Sequence, residues 1–177
     1  MKRVITTIFF MLFFLFTFHI KAAEFPTPPI SETFDRLDPT LELLGATIFE
    51  RNILLTLAIA EMAGTQDVIR ACAQWGCDKG ESWSRWQIQC VNRPGNNWSK
   101  NRWLWFLRIK MGDPDLTCNM LHDDLVGASA ALIILRSFGK RDGLDLMLLW
   151  GKSPDPHNRI LLLRAIHAKI VKKRRTQ

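Results

Sequence analysis

The chain reads as a mainly α-helical domain with one irregular, disulfide-bearing lobe. Three observations carry that reading. Apolar residues recur at helical spacing through most of the chain after residue 46, and no alternation of Val, Ile and Thr at strand period competes with them. Glycines, prolines and three of the four cysteines gather in residues 65–97, which therefore reads as irregular structure holding at most a small hairpin.

The helices follow in order. Residues 47–63 carry Leu54, Leu57, Ala58 and Glu61 on neighbouring turns, with Gly64 as the terminator. A second helix starts near Asn97 or Ser99 and ends at Met111, where Gly112, Asp113 and Pro114 break it. Residues 116–138 form a longer helix whose middle, 126–135, is apolar on nearly all sides, which makes it the expected central buried helix. Residues 142–150 form a shorter one, and an amphipathic helix over 157–171 closes the domain after the turn at Pro154 and Pro156.

The first residues carry a different signal. Lys2 and Arg3 precede an apolar run over 4–20, and Ala22 and Ala23 follow, which is the charged, apolar and small-residue order of an export signal. Residues 1–22 are therefore expected to be a signal peptide, 23–46 a mobile leader, 47–171 the folded domain and 172–177 a solvated basic tail. Export places the domain in the periplasm or outside the cell, and retention of the apolar run would tether it to a membrane instead. Cys72, Cys77, Cys90 and Cys118 all lie beyond the signal, an even number that suggests two disulfides with three connectivities open. His122, His157 and His167 are too scattered for a metal site, so no metal and no cofactor are expected.

The net charge of +7 overstates the basicity of such a domain. Without the seven positive residues of the signal and tail, 17 basic side chains of the original 24 face 17 acidic ones. That balance argues against a nucleic-acid partner. The local pattern differs, because residues 82–112 hold no Asp or Glu, six basic residues, and Trp83, Trp86, Trp98, Trp103 and Trp105. Indole faces stack on sugar rings and basic groups meet carboxylates, a combination suited to an anionic glycan such as peptidoglycan.

Glu61 stands out among the carboxylates, since it continues the apolar face of Leu54, Leu57 and Ala58 rather than the polar side with Arg51. A carboxyl facing a low-dielectric site is favoured in its neutral form and so can serve as a proton donor. Together with Asp78, Lys79, Gly80, Glu81, Ser82, Trp83, Ser84, Arg85, Trp86, Gln87 and Ile88, it resembles the lysozyme-like superfamily that includes bacterial lytic transglycosylases and goose-type lysozymes. In that superfamily a glutamate at the end of a buried helix is followed by a glycine-rich loop and then by an aromatic residue or methionine, glutamine and isoleucine. Trp86, Gln87 and Ile88 match the last part, and Gly80 and Ser82 match the loop. Ser84 and Arg85 depart from the usual glycine and small residue, and Trp150 before Gly151 is the nearest substitute for a late tyrosine and asparagine pattern.

The resemblance spans about residues 52–169 and implies a lysozyme-like helical fold that cleaves the bond between MurNAc and GlcNAc. It implies that Glu61 is the catalytic acid and base, with Gln87, Ile88, Trp86, Ser82 and Trp150 along the substrate groove. Hydrolysis needs a second carboxylate, for which Asp67, Asp78 and Glu81 are candidates. A lytic transglycosylase works with one glutamate, because the muramyl 6-hydroxyl attacks within the sugar. The expected partners are peptidoglycan glycan strands and an envelope protein, with the chain itself a monomer. The alternative is a non-catalytic protein that binds peptidoglycan or the cell envelope.

Overall fold

The computed structural model describes residues 30–61, 82–90, 98–150 and 156–177. The chain is mainly helical there: α1 (Ile30–Leu43), α2 (Ile48–Glu61), a two-stranded hairpin of β1 (Ser82–Trp83) and β2 (Ile88–Gln89), α3 (Trp98–Met111), a 3-10 turn (Asn119–His122), α4 (Asp124–Ser137), α5 (Gly143–Trp150) and α6 (Pro156–Arg175). The expected signal peptide lies outside the described residues. No helix among the described residues is long and apolar enough to cross a membrane.

The first correction concerns the leader. Phe34, Leu37 and Leu41 of α1 are fully buried, at the spacing of one helix face, so much of the stretch read as a mobile lead-in is part of the core. Pro39 lies inside the helix on its exposed side, where the carbonyl it leaves without a helical donor can meet water. The helix then stops in a Schellman motif. The N–H of Ala46 donates to the Leu41 carbonyl at 3.0 Å and that of Gly45 to Glu42 at 2.9 Å, with Gly45 at φ 69°. Thr47 and Glu50 cap the next helix reciprocally: Thr47 N–H donates to Glu50 Oε2 at 2.8 Å, and Glu50 N–H to Thr47 Oγ1 at 3.2 Å.

That next helix, α2, is the centre of the molecule. Every residue from Ile53 to Ile59 is buried, and α1, α4, α5 and α6 all pack on it. The central position expected of 126–135 is thus shared: α4 is deeply buried through Ala128, Ala130, Ala131, Leu132, Ile134 and Leu135, and it packs on α1, α2, α3 and the 3-10 turn. Asp123 caps α4, accepting from the N–H groups of Leu125 and Val126. The 3-10 turn replaces the first part of the single helix expected over 116–138.

The second correction is at the other end. Residues 172–175 continue α6 instead of forming a solvated tail. Arg174 donates to Asp38 through Nη1 and Nη2, at 2.9 and 2.5 Å, and its Nε donates to Asn52 Oδ1 at 2.8 Å. Lys173 pairs with Asp35, and both basic groups lie over the Phe34 ring. The neutral balance obtained by discarding the tail therefore undercounts the positive charge of the folded unit. Cys90 and Cys118 form a disulfide with their Cα atoms 5.7 Å apart, closing the segment that carries α3; Cys72 and Cys77 lie outside the described residues.

Candidate functional site

Glu61 is the last residue of α2, and its side chain is 17% exposed at the rim of the core. Its Oε1 accepts from Nη2 of Arg159 at 2.5 Å. Arg159 comes from the first turns of α6, 98 residues later, and is 14% exposed. The helical pattern explains its direction: Arg159, Leu163, Ile166 and Ile170 share one stripe of α6, and the three apolar members are buried. The two charged side chains each interrupt an apolar stripe, and they interrupt it opposite one another. Nε of Arg159 is buried and has no hydrogen-bond partner, which costs about 1–3 kcal/mol where it is not compensated.

The hairpin docks on the same central helix. Strands β1 and β2 pair Ser82 with Gln89 and Trp83 with Ile88. The turn between them holds two non-glycine residues at positive φ, Ser84 at 69° and Gln87 at 52°. Trp86, between them, is fully buried; its indole N–H donates to the Leu54 carbonyl at 2.8 Å, and its own carbonyl accepts from the Trp150 indole at 2.7 Å. Leu54 lies seven residues before Glu61, two turns or about 10 Å along α2. The hairpin and the glutamate are therefore held by one rigid element.

Around the turn, Arg85 Nε donates to Asp124 Oδ1 at 3.0 Å, while Arg36 Nε takes Oδ2 at 2.5 Å. Burial alone would raise the Asp124 pKa, but hydrogen bonds and charge from Arg85 and Arg36 outweigh it and hold the carboxyl below its usual range. Gly127 of α4 lies under the same turn: a Cβ there would stand 2.6 Å from the Leu121 carbonyl oxygen and 3.3 Å from Cβ of Ser84. On the other face, Trp83 donates to the Cys90 carbonyl at 2.9 Å, and its ring centroid lies 5.0 Å from that of His122, whose pKa is lowered by burial.

Of the expected groove residues, the structure joins Trp86 to Trp150 by a hydrogen bond, but Trp86 and Ile88 are enclosed in the core. Trp86 acts as a wedge between α2 and Trp150, and its ring offers no open face for stacking. Trp150 is partly buried, edge-on to Phe138. Gln87 is half-buried at the turn, and Ser82 opens β1. Asp67, Asp78 and Glu81 lie outside the described residues. In the basic and aromatic stretch, Trp105 is exposed, whereas Trp103 packs edge-on against Phe106 and Phe138. Among the described residues no three His, Cys, Asp or Glu side chains converge as a metal site would require.

Arg159 lies outside the set of site residues that the sequence predicts. The signal that points to it is the stripe of α6: an arginine in line with Leu163, Ile166 and Ile170 needs a buried or half-buried acid, and Glu61 is the acid in the same situation on α2. Comparison with protein-family models, with curated proteins and with solved structures returned no match to this chain.

Proposed function

We propose that the chain is a peptidoglycan-cleaving glycosidase of the lytic transglycosylase or lysozyme kind, with Glu61 as general acid and base. The observation that carries this reading is the position of Glu61 at the end of a buried helix, with its carboxyl at the rim and the Trp86, Gln87 and Ile88 turn docked on that helix. A rigid helix holds an acid steady against a bond, and a turn fixed to the same helix keeps the distance between them. In the transglycosylase version, Glu61 gives its proton to the glycosidic oxygen as that bond breaks. As a carboxylate it then draws the proton from the muramyl 6-hydroxyl, whose oxygen closes the anhydro ring. Export to the periplasm or medium would bring it to its substrate.

Glu61→Gln keeps the shape and the hydrogen-bonding capacity of the side chain but removes the transferable proton. The expected result is a folded variant with at least a hundredfold loss of muralytic activity, the order of a general acid's contribution. Retained activity rules out the role of Glu61. Mass spectrometry of released muropeptides separates anhydro ends, made by transglycosylation, from reducing ends, made by hydrolysis.

One observation favours a second reading, a non-catalytic protein that binds peptidoglycan or the cell envelope. Glu61 is already engaged by Arg159, as a structural carboxylate would be. Purified protein that binds peptidoglycan and releases no soluble fragments supports that reading over the first.

A further inference from the structure

Six arginines among the described residues meet carboxylates, and of these Arg159 is the one with a buried guanidinium nitrogen that has no partner. Arg51 places Nε on Asp38 Oδ1 at 2.9 Å and Nη2 on Oδ2 at 2.6 Å. Arg136 places Nε on Glu50 Oε1 at 2.7 Å and Nη2 on Oε2 at 3.1 Å. Both use the planar fork that matches a carboxylate. Arg159 gives Glu61 one bond from Nη2, while its Nε is buried without a partner. Half of the fork is unused, on a side chain at the rim rather than in the deep core.

A catalytic Glu61 cannot present Oε1 to a glycosidic oxygen while Arg159 holds it. A carboxylate that takes the whole fork gives Arg159 two bonds in place of one and leaves Glu61 free. Peptidoglycan supplies such a group next to the scissile bond, since the peptides on its muramyl sugars carry carboxylates. We propose that Arg159 is a substrate-sensing positioning residue: it restrains Glu61 in the free protein and transfers its guanidinium to a stem-peptide carboxylate when a glycan strand is bound. This inference rests on the glycosidase reading above. It adds that cleavage requires the charge of the peptide as well as the sugars. Glycan strands without peptides, and with the lactyl carboxylates of their muramyl sugars amidated, would leave the clamp closed.

The protein is assayed on three substrates: strands with intact peptides, strands with their peptide carboxylates converted to primary amides, and strands stripped of peptides by an amidase whose newly exposed lactyl carboxylates are then converted to primary amides. The expected kcat/KM is about tenfold or more higher on the intact strands than on the other two, the scale of a charge-assisted hydrogen bond. Arg159→Gln should bring all three to similar values, and Arg159→Lys should restore only part of the preference because an ammonium cannot form the fork. Equal rates of the unaltered protein on intact and amidated strands overturn the inference and leave the glycosidase reading standing. A preference that persists in Arg159→Gln also overturns it. Absence of cleavage on all three overturns both. Should Arg159→Gln fail to fold, the comparison of intact with amidated strands in the unaltered protein decides alone.

Discussion

Arg174 and Asp38 are joined by two hydrogen bonds, 2.9 and 2.5 Å long, although 136 residues separate them. The same carboxylate receives two more from Arg51, and Arg51 also pairs with Glu42 at 2.9 Å. One acid on α1 thus ties the start of α2 to the end of α6. At the opposite end of α2, Glu61 meets Arg159 near the start of α6, so the two helices run antiparallel and are laced at both ends.

Truncation after Val171 removes Arg174 and Lys173 while leaving every apolar residue of α6 in place. It strips Asp38 of half of its donors and uncovers the Phe34 ring. The expected loss is about 2–4 kcal/mol, at or somewhat below the roughly 3–5 kcal/mol for leaving a buried charge unpaired, because Asp38 keeps both bonds from Arg51. Arg174→Ala should reproduce most of it. Urea denaturation followed by circular dichroism checks the value, and an unchanged midpoint would restore the picture of a solvated tail.

Acid should destabilise the fold through a small set of carboxylates. Burial raises the pKa of Asp38, but hydrogen bonds and charge from Arg174 and Arg51 more than offset it, leaving it below the ordinary 3.8. The hydrogen bond from Arg136 lowers that of Glu50 below 4.5, aided by Thr47 against burial. A lowered folded-state pKa means that the unfolded chain binds protons first as pH falls. The stabilisation is therefore complete above these ordinary values and is lost as pH drops through the lower folded ones. Melting temperature against pH should be flat in this contribution above about pH 5 and fall steeply below about pH 4. Asp38→Asn should be less stable at neutral pH but lose less on acidification.

Much of this fold is legible from spacing alone, as the helices beginning near 48, 98, 143 and 156 demonstrate, because their apolar stripes are long and their stops carry glycine or proline. The stretch 30–43 escaped because Pro39 and its polar residues outweighed the stripe of Ile30, Phe34, Leu37 and Leu41. Residues 172–175 escaped because a run of like charge resembles a solvated end. Arg174 nevertheless lies four residues after buried Ile170, on the same stripe. Glu61 was visible as a charge on an apolar face. Its engagement with Arg159 was not, since periodicity assigns faces within a helix and leaves the pairing of helices open. The same limit explains Trp86: an aromatic residue in a glycan-like motif and a core wedge have the same sequence.

The Cys90–Cys118 bond closes a segment of 28 residues around α3. Loop-entropy reasoning assigns such a closure about 3–4 kcal/mol. Cys90→Ser with Cys118→Ser should lower stability on that scale, with the largest gain in amide exchange over α3 and the hairpin strand next to Cys90. Uniform exchange across the six described helices would mean that the bridge supports the whole domain instead of this lobe.

Gly127 tests whether the turn must be seated on α2 for function. Alanine adds a Cβ that would stand 2.6 Å from the Leu121 backbone oxygen, a contact that forces movement, with Cβ of Ser84 3.3 Å away. Crowding of a packed site costs about 1–3 kcal/mol. With α4 anchored by its buried face and by the Asp123 cap, the displacement should pass first to the 3-10 turn at Leu121 and by a smaller amount to the Ser84 and Trp86 turn. Glu61 sits on a different helix and should keep its Arg159 contact. Under the glycosidase reading, Gly127→Ala should therefore lower activity on glycan strands by more than its stability loss explains, while the Trp86 indole N–H that donates to Leu54, followed as a single resonance by NMR, should exchange faster. Full activity in a folded Gly127→Ala protein would separate the turn from the role proposed for Glu61.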